Sequence, residues 1–531
     1  MMQERRFSRL LSLAMAAALG STALVSIDQA LAQDASTLVV DTAFQLKTAD
    51  PAREFEPTAN LVLHPVYETL VTFTGGDLTK VVPSLASVPV IAADAKTFTF
   101  TLNPAAKFSD GSPVTVDDVI FSFNRVKNVK GSPAFLLDGV TVAKGATDGE
   151  IVLTTEQPDP GLPFKLANPA VGIVNSKVVK ANQGSADVGA DKTDRADTFL
   201  ASTSAGSGPY LLEKFDMAAE VVLKKNDAYW GAKPKYDQIV VRNVDTSAQQ
   251  MNVMRGDSQI ALDLRPDQLE AIKDTAYTLS VAGADVVFMF TNSNPAISKI
   301  TSNLDIQQAV RLGIDYDGLL EIAGEGAARP GSIIPTMFAG ALPTADGPKR
   351  DVEAAKAAVA KSGIKDPVIE LTYVSDITKN GISFADLAAK MQADLKEIGI
   401  ATELKPSPVA TFLDNYRAGT LPMTIAWWGP DFPDPSNYLL FGPGEKVGLR
   451  AGWAAGSSPE VTDLAAKAAV EIDQATRTKL YDEWQKKLNA TGPFTSLFQP
   501  AFSMASSKTL EPVEYNAMWT IDLAAVTPAK Q

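Results

Sequence analysis

The chain reads as a mixed α/β protein built from two or three lobes. Its 531 residues exceed what one compact core holds, since domains usually run to about 100–200 residues. Strand-like and helix-like patterns alternate along it without a short repeat, which excludes a solenoid. An apolar content of 45% with 21% charged residues is the balance of a globular chain and not of a disordered one.

The amino terminus comes first. Arg5, Arg6 and Arg9 precede a mostly apolar stretch over residues 10–27, and Ala30-Leu31-Ala32 then supplies a small-x-small pattern. This predicts a secretory signal over residues 1–32, cut after Ala32. A membrane anchor needs about 20 apolar residues, and Ser12, Gly20, Ser21, Thr22 and Ser26 interrupt this one. Arg5-Arg6-Phe7 leaves the export route open between the general secretory and twin-arginine paths. Without cysteine there is no lipobox, so the expected product is soluble, with no lipid anchor.

Further along, Thr97-Phe98-Thr99-Phe100-Thr101-Leu102 alternates with period two, which places its apolar side chains on one face of a strand. Residues 368–373, opened by Pro367, and residues 423–428, after Pro422, read as two more strands. Ser383 can cap a helix, with Asp386 reaching back in a capping box. Leu387, Met391, Leu395 and Ile398 form its apolar stripe, and Gly399 ends it. An Ala-rich helix is expected over residues 351–362, closed by Gly363, and another carries Leu480, Trp484 and Leu488 at four-residue spacing. The Gly/Ser/Asp-rich residues 183–208 suggest a long surface connection or a domain crossover.

Composition removes whole function classes. A net charge of −14 opposes nucleic-acid binding, which needs a basic face. The absence of cysteine excludes disulfides, thiolate metal sites and cysteine nucleophiles. The one histidine, His64, would have to serve any Ser-His-Asp triad. No nucleophile elbow, Walker loop or His-Glu-x-x-His motif occurs, and no acidic spacing matches a calcium loop. No cofactor or metal is expected. Paired carboxylates meet only in the fold, so a secreted hydrolase using Asp/Glu pairs stands as the competing class.

The most informative stretch is Trp427-Trp428-Gly429-Pro430-Asp431-Phe432-Pro433-Asp434-Pro435-Ser436-Asn437-Tyr438. Aromatic rings beside a carboxylate suit a pocket for an ammonium or guanidinium group. The alternative is that the tryptophans are core and both aspartates make turns.

Several islands, in order, then resemble a known family: Asp50-Pro51; Tyr67-Glu68-Thr69-Leu70; Pro83-Ser84-Leu85-Ala86; the run from Phe100 through Lys107-Phe108-Ser109-Asp110-Gly111-Ser112-Pro113 to Asp118-Val119; Gly206-Ser207-Gly208-Pro209-Tyr210; Asn226-Asp227-Ala228-Tyr229-Trp230-Gly231; Asp305-Ile306-Gln307-Gln308-Ala309-Val310 with Ile314-Asp315; and Trp428 to Pro435. Together they resemble the extracytoplasmic solute-binding proteins of the peptide/nickel class, family 5, the receptor components of ABC importers. The resemblance implies a two-lobed periplasmic binding protein fold (type II-like, cluster C) with an extra subdomain inserted in the first lobe. It places lobe I at residues 33–76, 197–291 and 493–531, the inserted subdomain at 77–196 and lobe II at 292–492. The lobe crossovers then fall near residues 291–294 and 491–493, and the Gly208-Pro209-Tyr210 turn reads as a tight crossover between lobes.

The same resemblance implies a monomeric periplasmic receptor, not an enzyme. Its partners would be a small-molecule or peptide ligand and the permease and ATPase subunits of the inner membrane. Aligning Trp428 and Asp434-Pro435 with the family pattern puts Asp431 where peptide-binding members receive an α-ammonium group, with Asp434 as fallback. Trp427, Trp428, Phe432, Trp453 and Phe44 are the aromatic candidates for the site. Dipeptide receptors offer an arginine to the ligand carboxylate from the loop that here reads Ser375-Asp376-Ile377-Thr378-Lys379-Asn380-Gly381. That loop has no arginine, so Lys379, Arg417 and Arg450 are the candidate substitutes. Reliance on His64 alone disfavours nickel. An opine, a sugar derivative or an oligosaccharide is the alternative ligand.

Overall fold

Two separate sheets organise the protein, whose computed structural model describes residues 36–44 and 46–530; the expected signal segment, residues 1–32, lies outside the described residues. The first sheet has seven strands in the order Ala276–Ala282, Ala501–Ser507, Ile260–Ala261, Thr37–Thr42, Gln238–Asn243, Glu220–Lys225 and Tyr210–Phe215. The second has five, ordered Ala401–Ser407, Val368–Val374, Met423–Trp428, Val286–Thr291 and Phe494–Phe498. We call the units built on them lobe I and lobe II. All six residues of Val286–Thr291 are buried, as expected of an inner strand covered on both faces. In lobe II, strand Val368–Val374, helix Phe384–Glu397 and the parallel strand Ala401–Ser407 form a βαβ unit. The helix turns Leu387, Met391 and Leu395 into the core, the stripe expected from their spacing. Ser383 Oγ accepts from Asp386 N at 3.4 Å, which is the forward half of the expected capping box.

The chain passes between the sheets twice, and these passages correct an expectation. It leaves lobe I at Ala282 and enters lobe II at Val286, then returns between Phe498 and Ala501. The crossings are therefore residues 283–285 and 499–500, not residues 291–294 and 491–493. Both Val286–Thr291 and Phe494–Phe498 pair within the lobe II sheet, so each crossing lies one strand nearer lobe I than the turn residues suggested. The crossing segments are bonded to each other. Gly283 N donates to Pro500 O at 2.9 Å, and Gln499 Nε2 donates to Gly283 O at 2.7 Å.

A third sheet, Val90–Ile91, Thr97–Thr101, Glu150–Thr155 and Val140–Lys144, is antiparallel throughout. Its apolar residues join those of lobe II in one continuous cluster, whereas lobe I has its own. Helix Val116–Val129 packs beside it and opens with a reciprocal Thr115–Asp118 capping box. From this helix Arg125, 1% exposed, reaches two carboxylates. Its Nη1 and Nη2 donate to Asp50 at 2.6 Å each, and its Nε donates to Asp194 at 2.8 Å. Asp194 belongs to the stretch 183–208, so that stretch is anchored by a buried ion pair and is not a loose surface connection. Gly206 and Gly208 explain the tight turn that follows. A Cβ at either would stand 2.0 Å from Val66 O or 2.4 Å from Pro65 O, closer than atoms pack. That turn leads into Tyr210–Phe215 of lobe I. Among the described residues no helix is long and apolar enough to cross a membrane.

Replacing Arg125 with Met would leave Asp50 and Asp194 buried with only Arg53 to compensate them. We predict a loss of about 3–5 kcal/mol, read as a lowered urea midpoint; an unchanged midpoint would show that this network is not a stabilising element.

Candidate functional site

Where the crossing segments hold the two sheets apart, a cavity of about 430 Å³ opens. Lobe I contributes Asp263 and Phe502 to its wall, the crossing contributes Asp285, and lobe II contributes Lys379 and Asp431. Thr58 and Asn60, on helix Pro57–Leu63, complete one side. A second cavity of about 530 Å³ continues from the first, sharing Asp263, Asn380 and Phe502 with it and ending at Arg265. Asn380 Nδ2, on the lobe II hairpin, donates to Ala501 O of lobe I at 2.7 Å, so the cleft is spanned by a direct bond between lobes.

Asp431 follows the strand Met423–Trp428 through Gly429-Pro430. Its N–H donates to Asn437 Oδ1 at 3.1 Å, Asn437 Nδ2 donates to its carboxylate at 3.0 Å, and Asn168 Nδ2 donates to its carbonyl at 3.3 Å. Its carboxylate forms no ion pair with any described residue. Burial raises its pKa, and the Asn437 bond and the more distant Lys446 offset this only in part. Asp434, three residues on, has the opposite environment. Arg477 grips both of its oxygens at 2.7 Å, and Ser436 N donates to it at 2.9 Å. Burial alone would raise the Asp434 pKa, but Arg477 and Ser436 outweigh burial and hold it below the ordinary carboxylate value. Asp434 thus closes a structural ion pair and caps the turn Pro435–Phe441, while Asp431 carries an uncompensated charge into the cleft.

The other sequence candidates separate. Lys379 lines the cavity but is already paired with Asp285. Arg417 is exposed at the end of helix Val409–Ala418, and Arg450 lies over the Tyr416 ring at 4.8 Å; neither lines the cleft. The aromatic candidates are packing residues. Trp427 lies against Phe384 at 5.3 Å, Trp428 meets Phe441 edge-on at 5.7 Å, and Trp453 meets Phe494 at 6.5 Å. Phe432 is buried under Lys165 at 5.1 Å, and Phe44 belongs to the lobe I core. None of these five rings lines the cavity; they pack against neighbouring aromatic and apolar side chains instead. The rings at the cavity wall are instead Phe55, Phe502 and Tyr515, the last two stacked at 4.2 Å.

Sequence reasoning missed Asp263, Asp285, Phe502 and Tyr515. Asp285 carried one usable signal: Gly283-Ala284-Asp285 interrupts two strand-like runs, marking a crossing. His64, the lone histidine, lies outside this cavity, stacked on Trp519 at 3.8 Å with Asp522 at 3.9 Å.

Two sheets joined by paired crossing segments, with a cavity at the crossing, define a two-lobed α/β fold. Residues 80–445 match the model of the bacterial extracellular solute-binding proteins, family 5 Middle, and the chain belongs to that family. It is 29% identical over 490 residues, 91% of this chain and 92% of the other, to the probable D,D-dipeptide-binding periplasmic protein DdpA of Escherichia coli (strain K12). Its fold resembles HbpA2 from Haemophilus parasuis, with a TM-score of 0.79 at 20% identity, covering 93% of this chain and 100% of that one. It also resembles the periplasmic binding protein DppA from Helicobacter pylori in complex with the peptide STSA, with a TM-score of 0.72 at 20% identity, covering 93% and 98%.

The two aspartates predict opposite pH behaviour. A carboxylate whose folded pKa is raised destabilises the fold above that pKa, and the penalty vanishes below the unfolded value of about 4. Asp431→Asn should therefore raise the melting temperature of the ligand-free protein at pH 7, with the gain fading towards pH 4. A carboxylate held low contributes stability that is lost only as pH falls through its folded pKa. Asp434→Asn should cost about 3–5 kcal/mol at pH 7, with the deficit shrinking in acid. Destabilisation of both variants at pH 7 would show that Asp431 is compensated in the folded state.

Proposed function

We propose that the protein is the periplasmic receptor of an ABC importer, capturing a peptide or peptide-like cationic solute between two closing lobes. The observation that carries this reading is the Asp431 carboxylate, half-buried at the cleft wall with no cation partner among the described residues. A ligand ammonium group there forms a charge-assisted hydrogen bond worth about 1.5–3 kcal/mol. Contacts from Asp263 on one lobe and Asp431 on the other exist together only when the lobes are closed, so binding shifts the protein towards closure. The peptide named for the Escherichia coli relative and the peptide bound to the Helicobacter pylori protein support the same ligand class.

In this reading the solute leaves chemically intact for the permease and ATPase subunits of the inner membrane. The receptor acts as a monomer, exported by its signal segment.

Calorimetric titration with a panel of short peptides tests the reading. A member of the panel should bind with one-to-one stoichiometry and be recovered unchanged. Asp431→Asn should weaken that binding about tenfold or more, with the fold intact by circular dichroism. Unchanged affinity would remove Asp431 from the site, and hydrolysis of the bound peptide would overturn the receptor assignment.

A further inference from the structure

The charges lining the cleft are arranged asymmetrically. Two basic residues border the two cavities, Lys379 and Arg265. Each is already engaged by a carboxylate of this chain: Lys379 by Asp285, and Arg265 by Asp267 at 3.1 Å. The acidic residues differ. Asp431 has no cation among the described residues. Asp263, exposed where the two cavities meet, is held only by neutral donors, namely Thr42 Oγ1 at 2.9 Å, Ala43 N at 2.7 Å and Gln249 Nε2 at 3.0 Å. Lys379, the one cation lining the first cavity, is thus occupied in a half-buried pair, whereas the Arg265–Asp267 pair is exposed to solvent, and neither Asp263 nor Asp431 has a cation partner among the described residues.

Asp285 is the residue that creates this imbalance, and its position is built in. It sits on the crossing between Ala282 and Val286, next to the bond pair that ties residue 283 to residues 499 and 500. One carboxylate oxygen pairs with Lys379. The other rests on Gly429, where a Cβ would stand 2.2 Å from it. Glycine at 429 therefore makes room for this carboxylate. The buried Tyr438 ring lies within reach of the fields of both Asp285 and Asp431, which add to the effect of burial in raising its pKa; the two carboxylates share one end of the cleft.

We propose that Asp285 sets the charge class of the ligand: by occupying Lys379 it leaves the cavity that Asp431 lines without a free cation for a carboxylate, so the preferred solute is a peptide-like molecule of net positive charge with a blocked or absent terminal carboxyl group. A free carboxylate would meet a lysine already neutralised, together with the uncompensated Asp263 and Asp431. Like-charge contacts of this kind exclude a partner more sharply than an added attraction selects one.

This inference rests on the peptide reading, and a matched pair of probes separates the two. Alanyl-alaninamide carries one net positive charge, whereas alanyl-alanine is a zwitterion of the same size. Titrated into the purified protein, the amide should bind about tenfold or more tightly than the free acid. Asp285→Asn, which keeps the shape but releases Lys379, should tighten free-acid binding and shrink the ratio by about tenfold. The double variant Asp285→Asn with Lys379→Met should lose that gain. Equal affinity of the wild type for both probes, weaker free-acid binding in Asp285→Asn, or a gain that survives in the double variant would each overturn the role of Asp285 while leaving the peptide reading in place. Binding of neither probe to the wild type would overturn the peptide reading and this inference with it.

Discussion

An ionised carboxylate withdrawn from water is expensive unless a cation or a sufficient set of donors replaces its hydration. The protein meets that constraint at buried Asp50, Asp194 and Asp434 and meets it only in part at half-buried Asp431. Asp50 and Asp194 share Arg125, and Asp434 is gripped by Arg477. Asp431 has only a neutral amide partner for its carboxylate. The contrast between Asp431 and Asp434, three residues apart on one loop, isolates function from structure. In the proposed reading a ligand cation would supply the partner that Asp431 lacks, so affinity and fold stability would oppose each other at this residue.

The crossing gives that charge its setting. Because residues 283–285 and 499–500 are bonded to one another, the lobes are joined by a paired ribbon and not by one flexible tether. Residues flanking it lie at the cleft floor by necessity. This is why Asp285 and Phe502, neither of which belongs to a recognisable motif, end up at the wall, and why a hinge residue can also act on ligand charge.

The parts of the fold legible in the sequence were those written in local pattern. The helix stripe at Leu387, Met391 and Leu395 and the strand at residues 97–101 follow from period and capping, and the strand at residues 423–428 from an apolar run after Pro422. The lobe crossings were displaced by one strand because Pro493 and the polar residues after Thr291 look like boundaries, whereas strand pairing is decided between distant segments. The same limit applies to the site. Asp431 was visible because it stands in an unusual aromatic and proline-rich stretch. That same stretch misled about the tryptophans, since sequence shows that rings are close to an aspartate but not which way they point. Asp263 has no local signature, and the break at Gly283-Ala284-Asp285 marks a crossing without showing what it faces; both become cleft residues only when residues 37–44, 260–263, 283–285 and 499–503 are brought together.

The central claim is that an unpaired carboxylate at the cleft waits for a ligand cation. A crystal structure of the protein with a bound short peptide tests it most directly. The account predicts a ligand nitrogen about 2.7–2.9 Å from the Asp431 carboxylate, with the two lobes closed around the peptide. A peptide bound in the cleft with its ammonium group elsewhere, and Asp431 facing only water, would contradict it.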